Sequence, residues 1–133
     1  MEQETLNLFS STNLVNITHL FVRGEISDIS PKKDFLNLKY LSFHLTGYNR
    51  VSDFNYLLKL INLKGFNLSG IQISDLSPLA NLTNLANLWL DSNQITDISP
   101  LVHLINLTEL RLRSNPITDI TLVISLLLDK NFL

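Results

Sequence analysis

The sequence contains no cysteine, one tryptophan, one methionine and four glycines among its 133 residues. Without thiols, neither a disulfide framework nor a thiolate metal site can form. That composition suits a reducing cytoplasm, and equally a surface protein that does not use cystine. None of the glycines stands in a P-loop spacing, which removes the usual cradle for phosphate. Basic excess is missing too. Ten lysines and arginines against twelve acids give a formal charge of −2, whereas a dedicated nucleic-acid binder carries a strongly basic face. The most apolar run, Ile120–Leu128, falls short of the ~20 apolar residues that cross a bilayer, so no membrane span is expected. The opening MEQETLNLFSSTN has two acids and no basic n-region, so no secretory signal is visible. The expected location is cytoplasmic for the sequence as given, and secreted or at the surface for a piece of a longer precursor.

What is present is a period. Starting at Leu85, the apolar skeleton reads Leu85, Leu88, Leu90, Asn93, Ile95, Ile98, Leu101 and Leu104. Adding 22 gives Leu107, Leu110, Leu112, Asn115, Ile117, Ile120, Val123 and Leu126; subtracting 22 gives Leu63, Phe66, Leu68, Ile71, Ile73, Leu76, Leu79 and Leu82. Only Ile71, in the asparagine column, departs from its column's character. Upstream, a 25-residue copy opens on Leu38, Leu41 and Phe43, with a bulge expected within HLTGY, and a copy one residue short opens on Ile17, Leu20 and Val22. Self-similarity at this period marks a stacked solenoid, in which no single unit can bury its apolar side alone.

Each column has a physical role. The segment around Leu88–Trp89–Leu90 alternates apolar and variable residues, the signature of a strand with one buried face. Copies running the same way round place these strands side by side and parallel. Asn93 and Asn115 fall where the chain leaves the strand, and an amide there can satisfy turn groups that no ladder reaches. Asp28-Ile29-Ser30-Pro31, Asp75-Leu76-Ser77-Pro78 and Asp97-Ile98-Ser99-Pro100 then read as helix starts, serine as N-cap and proline as first helical residue. A helix of roughly two turns is expected after each.

The stretch Leu85–Leu101 follows L-x-x-L-x-L-x-x-N-x-I-x-D-I-S-P-L, and through it the chain resembles the leucine-rich repeat family in its 22-residue, internalin-like class. The resemblance implies an α/β fold: a right-handed solenoid with a concave parallel β-sheet and short convex helices or 3-10 turns. It also implies protein–protein recognition through the concave face. Glu25 and Ile71 replace the turn asparagine, and Lys32 replaces an apolar helix residue. The organisation expected is an N-terminal cap at 1–16, five repeats at 17–37, 38–62, 63–84, 85–106 and 107–128, and a tail at 129–133. Thr121-Leu122 stands where Ser-Pro stood, so TLVISLLLDKNFL is expected to form a longer capping helix. Its outer face is apolar enough to invite self-association, or further repeats in a longer protein.

Function must reside in the variable strand positions, which point away from the core. The middle column is Phe21, Ser42, Asn67, Trp89 and Arg111; its flanks are His19, Tyr40, Gly65, Asn87, Glu109 and Arg23, His44, Ser69, Asp91, Arg113. At ~4.8 Å per rung, five rungs span on the order of 20 Å. The partner-binding set expected is Phe21, Arg23, Tyr40, His44, Asn67, Asn87, Trp89, Asp91, Glu109, Arg111 and Arg113. Trp89 reads either as a binding anchor, because exposed aromatics and arginines make hot spots, or as a cover packed on Arg111 and Asn67. The arginines read either as a match for an acidic partner or as a solvated strand face.

Catalytic chemistry is not expected. His19 and His44 lie on adjacent rungs in different columns with no third ligand, and no nucleophile elbow is visible. No cofactor is implied. The triplets opening at Asn16, Asn67, Asn81 and Asn106 match the glycosylation pattern, but the repeat itself tends to write Asn-Leu-Thr. The reading is a non-enzymatic module that binds another protein, and not nucleic acid. Its rivals are a repeat segment of a larger bacterial adhesin or effector, and a regulatory subunit that positions a catalytic partner.

Overall fold

The computed structural model describes residues 17–24, 35, 37–45, 58–122 and 124–125. The expected caps at 1–16 and 129–133, the first Asp-Ile-Ser-Pro turn, Glu25, Lys32 and the Thr46–Tyr48 part of the bulge lie outside them. Five strands form one sheet in chain order: β1 (His19–Gly24), β2 (Tyr40–Leu45), β3 (Gly65–Asn67), β4 (Asn87–Trp89) and β5 (Glu109–Arg111). Every neighbouring pair is parallel. His19 pairs with Tyr40, Tyr40 with Gly65, Gly65 with Asn87 and Asn87 with Glu109. The sheet keeps its register although His19, Tyr40 and Gly65 are unequally spaced in sequence. The described residues form a repeat solenoid with a parallel sheet and little helix.

The leucines make one continuous core. Leu85, Leu88, Leu90, Ile95, Leu101 and Leu104 are fully buried, as are Leu63, Leu68, Leu79 and Leu82 one rung earlier. Burying each such side chain contributes ~1.5–3 kcal/mol before chain entropy is counted. Phe43 and Phe66 extend this core beneath β2 and β3, ring centroids 6.1 Å apart and tilted. Burial weakens at the last described rung. Leu110, Leu112 and Ile117 are only half-buried, and Ile120 is 59% exposed although it continues the column of the buried Leu76 and Ile98.

The turns between strand and core depend on asparagine. Asn93 Oδ1 accepts the backbone N–H groups of Ile71 and Ile73, each at 3.1 Å, while Nδ2 donates to the carbonyls of Leu68 and Leu90 at 2.9 and 3.0 Å. Asn115 repeats the pattern one rung on, accepting from Ile95 N–H and donating to Leu90 and Leu112. Just before each asparagine the chain passes through a left-handed residue, Ser92 (φ 58°) and Ser114 (φ 56°), and Gly70 (φ 72°) occupies the same column. Ile71 fills the asparagine column by burying its side chain, and the adjacent Gln72 adopts a further left-handed conformation (φ 62°).

The helix starts differ from the sequence expectation. The segments following the turns are 3-10 helices, Ser77–Leu79 and Ser99–His103, shorter than two α-turns. Serine is the first helical residue rather than the cap. The aspartate two residues earlier takes the capping role: Asp75 Oδ1 accepts the Ser77 N–H at 2.9 Å and Asp97 Oδ1 accepts that of Ser99 at 2.8 Å. Hydrogen bonds from the serine hydroxyl and N–H hold both carboxyls below their ordinary range. Asp119 does the same for Thr121, so the helix start survives the loss of Ser-Pro. Helical backbone follows at Thr121–Leu122 and Ile124–Ser125. Among the described residues no helix is long and apolar enough to cross a membrane.

Candidate functional site

On the outer side of the sheet the side chains stand in the expected columns, and their neighbours decide what each can do. At the C-terminal end, four of the expected site residues form a single polar cluster around one carboxylate. Glu109 Oε1 accepts from the Trp89 indole N–H at 3.0 Å and from Arg111 Nε at 2.8 Å, and Oε2 accepts from Asn87 at 3.1 Å. Arg111 also lies over the Trp89 ring, 4.6 Å from its centroid, a geometry in which cation and ring quadrupole attract. Desolvation raises the Glu109 carboxyl, but the hydrogen bonds from Arg111, Asn87 and Trp89 and the Arg111 charge outweigh it. The group therefore sits below its ordinary value.

Trp89 is consequently half-buried and held in place, and the Arg111 charge is already paired within the chain. Asp91 is also engaged, because its Oδ1 accepts the Arg113 backbone N–H at 2.8 Å. Asn67 folds onto its own turn, accepting the Ser69 N–H at 3.0 Å. Arg113 is exposed, standing just past the end of β5.

The N-terminal rungs are built differently. Gly65 is buried because the Tyr40 ring lies across it. A Cβ added at Gly65 would come within 2.5 Å of Tyr40 Cδ1, so a larger residue there would push the ring aside. Tyr40 in turn stacks on His19, centroids 4.6 Å apart and planes 20° from parallel. Next to Tyr40, Ser42 is 9% exposed and shares a hydrogen bond with His44 Nδ1 at 3.2 Å. The small residues leave an open trough of about 450 Å³ in the sheet surface. Ser42, Gly65 and Asn67 form its floor, with the buried Phe66 beneath. Phe21 and Tyr40 wall one side and Asn87 and Trp89 the other. Phe21 is 60% exposed, and Tyr40 is 41% exposed even with its ring stacked on His19.

The eleven expected site residues therefore divide. Phe21, Tyr40, His44, Asn67, Asn87 and Trp89 come together around the trough. Glu109 and Arg111 brace its Trp89 wall from behind. Arg23, Asp91 and Arg113 stand at strand ends away from it. The trough also takes in His19, Ser42 and Gly65, which lay in the outward columns but outside the expected set. Their signal was a serine and a glycine facing outward on adjacent rungs, framed by aromatics. Among the described residues, no three His, Asp or Glu side chains cluster as a metal site would require.

The sequence profile described as Leucine Rich repeats (2 copies) matches residues 61–103 and again 83–125. No curated protein sequence matches the chain. Among solved structures, internalin C2 from Listeria monocytogenes is similar over 94% of this chain and 68% of its own, with 28% identity and a TM-score of 0.72. An internalin (inlF) from the same species is similar over 94% of this chain, with 23% identity and a TM-score of 0.69. The chain spans 46% of that second structure, and this likeness speaks for the fold alone.

Proposed function

From a chain whose residues 61–125 are leucine-rich repeats of the internalin-like class, we infer a non-enzymatic module that binds a partner protein on its concave sheet. The observation that carries this reading is the trough. The strand leucines of the inner rungs and Phe66 are buried inward, yet Phe21 and Tyr40 remain exposed on the outward face opposite a braced Trp89. Exposed apolar surface of this kind marks an interaction site, and aromatic anchors concentrate binding energy. Side chains fixed by stacking and hydrogen bonds lose little freedom on association, so more of the contact energy becomes affinity.

The test is affinity purification of the partner with the wild-type chain, Phe21→Ala, Trp89→Ala and, as a control away from the sheet, Ile105→Ala. Partner recovery is expected to fall with the first two substitutions and to hold with the third, with melting temperatures close to wild type for all. Unchanged recovery with both Phe21→Ala and Trp89→Ala would remove the concave face as the binding site.

A further inference from the structure

The charges of the described residues change along the stack, although Asp75, Asp97 and Asp119 belong to the helix starts and not to the sheet. Among the described residues from Ile17 to Ser74 there are four cations, Arg23, Lys39, Lys59 and Lys64, and no acid; from Asp75 to Ser125 there are five acids and two cations. Glu25, Asp28, Asp34 and Asp53, with Lys32, Lys33 and Arg50, lie outside the described residues. Arg111 is neutralised by Glu109 at 2.8 Å. Arg23, Lys39 and Lys64 have no ion-pair partner among the described residues.

These three cations bracket the trough. Lys39 and Lys64 immediately precede Tyr40 and Gly65, and the Lys64 N–H donates to the Lys39 carbonyl at 2.7 Å, so they leave the sheet from adjacent rungs. Both line a polar groove of about 350 Å³ with Asn84 at the strand entrances. Arg23 stands beyond Phe21 toward the other end of β1. Like charges on neighbouring rungs repel, and a ligand bringing carboxylates would relieve that cost. From the lysine row to the Arg23 row is five strand residues, roughly 17 Å at ~3.3 Å each. The apolar trough occupies the middle of that span.

We propose that the trough receives an extended acidic segment of a partner protein. One aromatic or large aliphatic side chain sits between Phe21, Tyr40 and Trp89, and carboxylates two or three residues to either side meet Arg23, Lys39 and Lys64. This rests on the concave-face reading above and specifies the chemistry of its ligand. Apolar burial supplies the anchor, while the flanking charges set orientation and speed encounter.

Trp89 is the sole tryptophan and forms one wall of the trough, so its emission reports occupancy directly. The full chain is titrated with three short peptides: a central Phe flanked by Glu at the second and third positions on each side, the same peptide with Lys for Glu, and the acidic peptide with Gly for Phe. The first is expected to give a saturable emission change, and the other two at least tenfold weaker binding. Its affinity should fall several-fold as salt is raised from low to about 0.3 M, because exposed charges are screened. The double variant Lys39→Glu, Lys64→Glu should lose the preference for the acidic peptide while keeping the wild-type melting temperature.

Equal response to the acidic and basic peptides overturns the acidic ligand and leaves the concave-face reading standing. No response to the acidic peptide also overturns the inference, and a saturable shift with a neutral oligosaccharide in its place would reassign the trough to sugar. The concave-face reading is judged separately, by partner recovery with Phe21→Ala and Trp89→Ala.

Discussion

The Trp89 indole N–H and the Glu109 carboxylate meet at 3.0 Å across the β4–β5 pair, joining two outward columns of the sheet. The same carboxylate oxygen accepts from Arg111, whose guanidinium covers the indole face. The largest outward side chain is thus fixed by its neighbours on the next rung before any partner arrives.

This arrangement has a pH dependence whose sign follows from Glu109. Its folded-state pKa is depressed, so the bracing is present above the ordinary glutamate value of about 4.3. It is lost as pH falls through the lower folded value. Trp89 emission should hold steady from neutral pH to below that ordinary value, then shift to the red. Glu109→Ala should produce the red shift at neutral pH and remove the acid step, with little change in melting temperature because the pair is exposed. Wild-type emission from Glu109→Ala at neutral pH would show that something else holds the indole.

Asn93 makes the most costly polar contacts in the core. Asn93→Ala strands two backbone N–H groups and removes the amide donor to the Leu68 carbonyl, while the Leu90 carbonyl keeps Asn115. At ~1–3 kcal/mol for each buried group left without a partner, a loss of about 3 kcal/mol or more is expected in urea unfolding. Asn115→Ala should cost clearly less, since Asn115 is only half-buried and accepts from one turn N–H. Equal losses at the two positions would mean that burial does not set the cost.

The left-handed column offers a test free of packing changes. No atom lies within 4 Å of a Cβ added at Gly70, so Gly70→Ala probes backbone conformation alone. A destabilisation of ~1 kcal/mol is expected, the left-handed penalty less the gain from stiffening the unfolded chain. Ser92→Gly should run the other way, neutral to slightly stabilising, as read by thermal unfolding. A stabilised Gly70→Ala chain would contradict the assigned turn.

What the sequence revealed and what it hid follow from how local each signal is. Leu88, Trp89 and Leu90 announce a strand because alternation is visible within three residues, and the repeat then fixes which residues share a column. Asp97-Ile98-Ser99-Pro100 shows a helix start but not which side chain caps it. Serine and aspartate both cap helices, and only the three-dimensional turn decides that Asp97 reaches forward to the Ser99 N–H. The engagement of Arg111 depends on Glu109 two residues away on the same face, a pairing that a column-by-column reading treats as two independent surface charges. The trough is the least legible feature, because it depends on small side chains: Gly65 beside the Tyr40 ring, and Ser42.

The turn amides give the stack an arrow. Asn93 and Asn115 both reach backward to groups of the preceding rung, as do Asn84 to the Ile61 carbonyl and Asn106 to that of Thr83. Each rung is therefore finished by its successor. Either cut breaks ladder hydrogen bonds, but only a cut from the C-terminal side also orphans the turn groups that asparagine satisfies. A cut from the N-terminal side frees side-chain amides instead, which hydrate more readily. Two solenoids of equal length cut from opposite ends of this array would not be equivalent molecules, even with nearly the same repeats in each.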